Sequence, residues 1–132
     1  MSLLSLLTTG KKPDTRAAAA YVLGLSRNGA ARCSLENVLS NRDEDPAVRG
    51  HAAEALGYIQ NRDSVNVLIQ NLSEKNAGVK YWCIFALGQI GDPGSIPMLR
   101  REAESSNNGF YETRSLQAEA LDAIAEIERR KA

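Results

Sequence analysis

The segment Val48-Arg49-Gly50-His51-Ala52-Ala53-Glu54-Ala55-Leu56-Gly57-Tyr58-Ile59 returns as Val79-Lys80-Tyr81-Trp82-Cys83-Ile84-Phe85-Ala86-Leu87-Gly88-Gln89-Ile90. An earlier copy runs Thr15-Arg16-Ala17-Ala18-Ala19-Ala20-Tyr21-Val22-Leu23-Gly24. In each copy a cation precedes the glycine of a Leu-Gly pair by eight residues, and Gly24, Gly57 and Gly88 stand 33 and 31 residues apart. Self-similarity at this period marks a repeat protein, because one such unit cannot bury its apolar face alone and must stack on its neighbours. A weaker fourth copy reads Thr113-Arg114 through Ala118-Glu119-Ala120-Leu121-Asp122-Ala123-Ile124, with Asp122 in the glycine position. Folds built this way display an extended surface, so partner binding is the expected class of function.

A second segment recurs between these copies. Val65 and Leu68 follow Ile59 by six and nine residues, and Ile96 and Leu99 follow Ile90 by the same offsets. Each repeat is therefore a helix pair, and Asp45-Pro46 and Asp92-Pro93 read as a capping carboxylate followed by proline at a helix start. The pattern predicts helices 2–8 with 14–26, 29–41 with 46–60, 63–74 with 77–91, and 93–105 with 110–130. These form repeats 1–27, 28–60, 61–91 and 92–132 of one domain, 1–132. Breakers fall between them, including Asn28-Gly29, Gly91 to Gly94 and Ser105 to Gly109, and no run alternates long enough to predict a strand.

Charge narrows the partners. Sixteen basic and sixteen acidic residues cancel, which argues against nucleic acid or an anionic membrane as the partner. The longest apolar run, Trp82 to Leu87, is too short to span a bilayer, and Met1 to Leu7 lacks the basic start and cleavage pattern of a signal peptide. Cys33 and Cys83 both lie in predicted helices and read as small buried hydrophobes with free thiols, as in a cytoplasmic protein.

Neither the tetratricopeptide nor the ankyrin signature occurs at this period. Asp45-Pro46-Ala47-Val48-Arg49 with Ala52-Ala53-Glu54-Ala55-Leu56-Gly57, and Ile90-Gly91-Asp92-Pro93-Gly94-Ser95-Ile96-Pro97-Met98-Leu99, resemble the short HEAT repeats of the phycobilisome-lyase type over nearly the whole chain. The resemblance implies an all-α, right-handed α-solenoid of about four helix pairs, with the cation-bearing helix lining the concave face. It also implies that Arg16, Arg49, Lys80 and Arg114 are structural, each bonding an acidic residue or loop carbonyls between repeats. Asp45 is the expected acceptor in one repeat; Lys12 and Asn76 hold the matching offsets elsewhere, so a complete acidic ladder is not expected.

Stepping 100° per residue from the cation, the positions three, four, six, seven and ten residues on sweep one apolar arc. Positions one, two, five and nine residues on fall opposite and vary between copies: Ala17, Ala18, Tyr21, Leu25; Gly50, His51, Glu54, Tyr58; Tyr81, Trp82, Phe85, Gln89; Ser115, Leu116, Glu119, Ala123. Five of the seven aromatic residues (Phe 2, Tyr 4, Trp 1) sit in these slots. Such residues dominate binding hot spots, so Tyr21, His51, Glu54, Tyr58, Tyr81, Trp82, Phe85, Gln89, Leu116 and Glu119 are the candidate partner-binding residues. The competing reading is that Tyr81, Trp82 and Phe85 cover the core.

No catalytic residue, metal ligand or cofactor is expected. Some HEAT-type proteins, the deoxyhypusine hydroxylases, hold a di-iron centre with several His-Glu pairs, whereas the one histidine here, His51, is followed by Ala52. No phosphate-binding glycine loop or nucleophile elbow is present either. The function expected is a non-catalytic interaction module, a scaffold, assembly factor or immunity-type protein, binding another protein as a monomer or weak homodimer. The alternative is an accessory subunit of a phycobilin lyase or isomerase.

Overall fold

Short polar side chains open the helices. Ser2 accepts from Ser5 N ahead of α1 (Leu3–Thr9), Asp45 from Ala47 N at 2.8 Å ahead of α4 (Pro46–Ile59), and Asn76 from Val79 N at 3.1 Å ahead of α6 (Ala77–Ile90). Pro13 begins α2 (Pro13–Leu25). Tight 3-10 turns capped by Asn28, Asn61 and Asp92 lead into α3 (Arg32–Ser40), α5 (Val65–Gln70) and α7 (Ile96–Glu104). Gln60 and Gly91, both in the left-handed region, close α4 and α6. The last helix is α8 (Leu116–Lys131).

The computed structural model describes residues 2–105 and 109–131. Helices α2, α4, α6 and α8 pack in succession as one layer, and α1, α3, α5 and α7 each lie against the inner helix of their own pair. This is the all-α solenoid of four helix pairs that the repeat predicts. The expected loop 105–109 lies partly outside the described residues.

The recurring glycine has a steric cause. A Cβ on Gly24 would sit 2.6 Å from Ala55 Cα, one on Gly57 2.9 Å from Ala86 Cα, and one on Gly88 3.0 Å from Ala123 Cα. Each glycine therefore lets the next inner helix come into backbone contact, with an alanine at the crossing.

That seam resets the fourth copy. Ala55 and Ala86 lie six residues past Arg49 and Lys80, and Ala123 lies six past Gln117, not past Arg114. Leu116 then takes the fully buried place of Val48 and Val79, and Ile127 that of Ile90. The expected phase of the fourth repeat was three residues early, and Ala125, not Asp122, occupies the glycine position. The start of the helix moves with it. Residues expected to be helical from 110 onward instead form an antiparallel hairpin, β1 (Phe110–Tyr111) with β2 (Arg114–Ser115), in which Gly109 and Glu112 take positive φ and the Gly109 carbonyl accepts from Leu116 N.

The cations are anchored as the repeat implies, by different acceptors. Arg16 pairs with Glu44 at 2.7 Å, Arg49 with Glu74 at 2.7 Å and Lys80 with Glu102 at 3.0 Å, each reaching forward into the next repeat. An acidic ladder is thus present, built from glutamates, while Asp45 is spent as the cap of α4. Arg16 and Arg49 also donate to Gly10 O and Leu39 O at the ends of their own outer helices, as Gln117 does to Ser105 O. Gln117 keeps the capping half of the role without the charge.

Cys83 is buried, but Cys33 is exposed on α3, which corrects the expectation that both are core residues; both are free thiols.

Candidate functional site

With the fourth copy rephased, the variable stripe on the inner helices is Ala17, Ala18, Tyr21 and Leu25 on α2; Gly50, His51, Glu54 and Tyr58 on α4; Tyr81, Trp82, Phe85 and Gln89 on α6; and Ala118, Glu119, Asp122 and Glu126 on α8. It begins apolar, passes through an aromatic middle and ends in three carboxylates.

Three of the candidate residues do not face outward. Tyr81 is 1% exposed, Leu116 0% and Glu54 5%. Tyr81 is covered by Trp82 and by Tyr111 of the hairpin, with ring centroids 5.0 and 5.1 Å away, and its hydroxyl accepts from Arg114, whose guanidinium also lies over the ring. Burial pushes the Tyr81 hydroxyl above its ordinary pKa. Leu116 is buried because of the three-residue rephasing. Glu54 sits between two neighbours on its own helix: His51 Nδ1 lies 3.0 Å from Oε1, and the Tyr58 hydroxyl donates to Oε2 at 3.1 Å. Desolvation, with the Glu54 charge behind it, raises the pKa of Tyr58.

The remaining candidates line the surface. Tyr21 meets His51 edge to ring, and Tyr58 meets Phe85, which meets Trp82; the two groups of rings are joined through Glu54, which His51 and Tyr58 both contact. Tyr111 was missed by sequence reasoning because it lies in the hairpin, outside the helical period. A signal for it exists in Gly78, where a Cβ would stand 2.8 Å from the Tyr111 ring.

The acidic end forms two adjoining hollows. Phe85, Gln89 and Glu126 line the first, Tyr81, Thr113 and Arg114 the second, and Glu119 and Asp122 belong to both. Burial lifts the pKa of Glu119 and the charge of Asp122 lifts it further, against the pull of the Tyr81 hydroxyl and Arg114. Glu126 is held below the usual carboxylate range chiefly by the Arg129 hydrogen bond, and also pairs with Arg130. Glu126 is thus taken up by its own helix, which leaves Glu119 and Asp122 as the carboxylates shared by both hollows.

Residues 34–121 match the model of the HEAT repeats. The chain belongs to the HEAT-repeat family. The match does not single out the phycobilisome-lyase type. Among curated proteins the HEAT chain is similar to deoxyhypusine hydroxylase-B of Oryza sativa subsp. japonica, 42% identical over 71 residues, which cover 54% of the chain and 24% of that protein. It is 34% identical to deoxyhypusine hydroxylase of Arabidopsis thaliana over 70% of the chain and 30% of that protein. It is 44% identical to deoxyhypusine hydroxylase of Saccharomyces cerevisiae over 54% of the chain and 22% of that protein. The chain thus spans about a quarter of the length of these curated relatives.

These relatives are named as enzymes. Their similarity overturns three expectations: that the chain is no enzyme, that it is a non-catalytic scaffold, and that it serves as a bilin-lyase subunit. A di-iron centre held by His-Glu pairs does not fit the residues at hand. Among the described residues no three of His, Cys, Asp and Glu converge as metal ligands, and His51 has Nδ1 engaged with Glu54. Among them, too, no helix is long and apolar enough to cross a membrane.

Proposed function

We propose that this HEAT domain, residues 1–132, takes part in the hydroxylation of a lysine-derived side chain carried by a protein, and that it holds that substrate along its variable stripe. The relatives' name supplies the reaction class. Deoxyhypusine is a lysine lengthened by an aminobutyl group, a long flexible alkyl chain with two amines that are cationic at neutral pH. The observation that carries the reading is the pair of hollows sharing Glu119 and Asp122, because carboxylates beside the Phe85 ring complement a cation on an alkyl stem. Tyr21, His51, Tyr58, Trp82, Phe85 and Gln89 are the other contact residues in this reading, and the cytoplasm is its setting, in keeping with two free thiols.

A fluorescent peptide carrying one aminobutyl-lysine tests it by anisotropy. Binding is expected to weaken about tenfold or more in the Glu119→Gln/Asp122→Asn double variant, and to fall similarly when both amines are acetylated. Equal affinity for the acetylated peptide would sink the reading. In the host, deletion of the chain is expected to raise the ratio of deoxyhypusine to its hydroxylated product, measured by mass spectrometry.

A further inference from the structure

Between the N-terminal ends of α4 and α6 lies a cleft of about 260 Å³ that the acidic hollows do not include. Two glycines make it. A Cβ on Gly50 would stand 3.0 Å from Trp82 Cδ1, and one on Gly78 would press into the Tyr111 ring, so each glycine gives an aromatic wall its place. Trp82 and Tyr111 stand edge to face at 6.1 Å, and His51, its ring pinned by Glu54, lies at the side. No carboxylate lines the cleft. Its chemistry is that of a pocket for one apolar side chain, the inverse of the acidic end one helix further on.

We infer that the stripe reads a polypeptide at two points: an apolar side chain enters the Trp82–Tyr111 cleft while a cationic residue of the same segment lies on Glu119 and Asp122. The inference rests on the proposed function for its cationic half. Charge complementarity orients the segment, because only the α8 end of the stripe offers carboxylates open to a ligand. The geometry also bounds the spacing. Clefts on either side of α6 are at least one interhelical distance apart, roughly 8–10 Å, and an extended chain advances about 3.3 Å per residue, so about three residues of backbone bridge the lateral gap. The partner is therefore a basic-apolar segment with a preferred interval, and Trp82 and Tyr111 are specificity-determining residues.

The probes are fluorescent glycine-serine peptides with one aminobutyl-lysine and a single leucine stepped through successive positions on either side. On the unaltered protein, leucine about three residues from the lysine, on one side only, is expected to tighten binding about tenfold over the leucine-free peptide. Trp82→Ala is expected to erase that gain, so that leucine-bearing and leucine-free peptides bind alike, and Gly50→Ala, which crowds the indole, to reduce it. A gain that is the same at every leucine position, or that survives Trp82→Ala, overturns the inference while leaving the acidic site standing. Loss of leucine-free binding in the unaltered protein counts against the acidic site instead. Peptides with alanine in place of the lysine then decide the cleft: leucine-dependent capture sensitive to Trp82→Ala supports it, and its absence overturns it.

Discussion

Helices α4 and α6 and helix α8 occupy equivalent places in three successive repeats, yet their cations do different work. Arg49 is buried at 3% exposure and joins Leu39 O, Asn71 and Glu74, binding the outer helix of its own repeat to the turn of the next. In the fourth repeat the equivalent residue is the neutral Gln117, and the nearby Arg114 has left the helix to clamp the hairpin onto Tyr81. The pattern of a repeat is thus carried by its steric seam, glycine against alanine. The charged slot is kept in three copies and is neutral in the fourth, at Gln117. Helix α8 turns three carboxylates, Glu119, Asp122 and Glu126, toward the stripe.

The contrast is broken most directly through the arginines. Arg49→Ala leaves the largely buried Glu74 with only the exposed Arg42, at 3.6 Å, and urea denaturation is expected to register a loss of about 3 kcal/mol. Arg114→Ala is expected to cost a small fraction of that. Equal losses would mean that both arginines serve one structural role and that the phase inferred for α8 is wrong. The seam gives a smaller effect: Gly57→Ala forces a methyl against the Ala86 backbone and is expected to cost about 1–3 kcal/mol. Asp122→Gly would restore a tight crossing if Asp122 held the glycine position. It is expected instead to yield no gain, with a change under about 0.5 kcal/mol in the unfavourable direction.

The smallest effect is one of sign with pH. The Arg16 hydrogen bond holds Glu44 below the ordinary carboxylate value of 4.5; burial pushes Glu74 up, but the Arg49 hydrogen bond and charge together with the backbone N–H groups of Asn76 and Lys75 outweigh it and leave that group low as well. Both pairs stabilise the fold above the ordinary value and lose that contribution as pH falls through the depressed one. Glu119 runs the other way, since its neutral form is favoured by burial. Its contribution is present below the ordinary value and lost as pH rises through the raised one. Denaturation midpoints followed against pH are therefore expected to show Glu119→Gln gaining stability near neutrality, while Glu44→Gln loses it. Gains in both variants would remove the distinction between the glutamate ladder and the carboxylates of α8.

The helix pairs were legible because a 3.6-residue period and a Leu-Gly spacing survive in three copies, and the caps Asp45 and Asp92 stand where short polar residues satisfy free N–H groups. The fourth phase was not legible. Arg114 mimics the repeat in sequence, and only the contact between Gly88 and Ala123 reveals that Gln117 is its counterpart. That error hid Asp122 and Glu126 from the stripe and placed Leu116 in it. Tyr81 was misread for another reason: its slot faces outward by helical geometry, but a hairpin with no helical period folds over it. The glutamate ladder escaped because its acceptors lie 28, 25 and 22 residues beyond their cations, a drift that no fixed offset can follow.

The two thiols turn the molecule into its own timepiece. Burial raises the Cys83 thiol to about 12 and surrounds it with core, whereas Cys33 stands in solvent on α3. An alkylating reagent will mark Cys33 at once and reach Cys83 only in those moments when α6 has parted from its neighbours. The interval between the first and second marks is then a direct reading of how often the stack comes apart at its centre, and a ligand seated across α4, α6 and α8 will lengthen it in proportion to its grip.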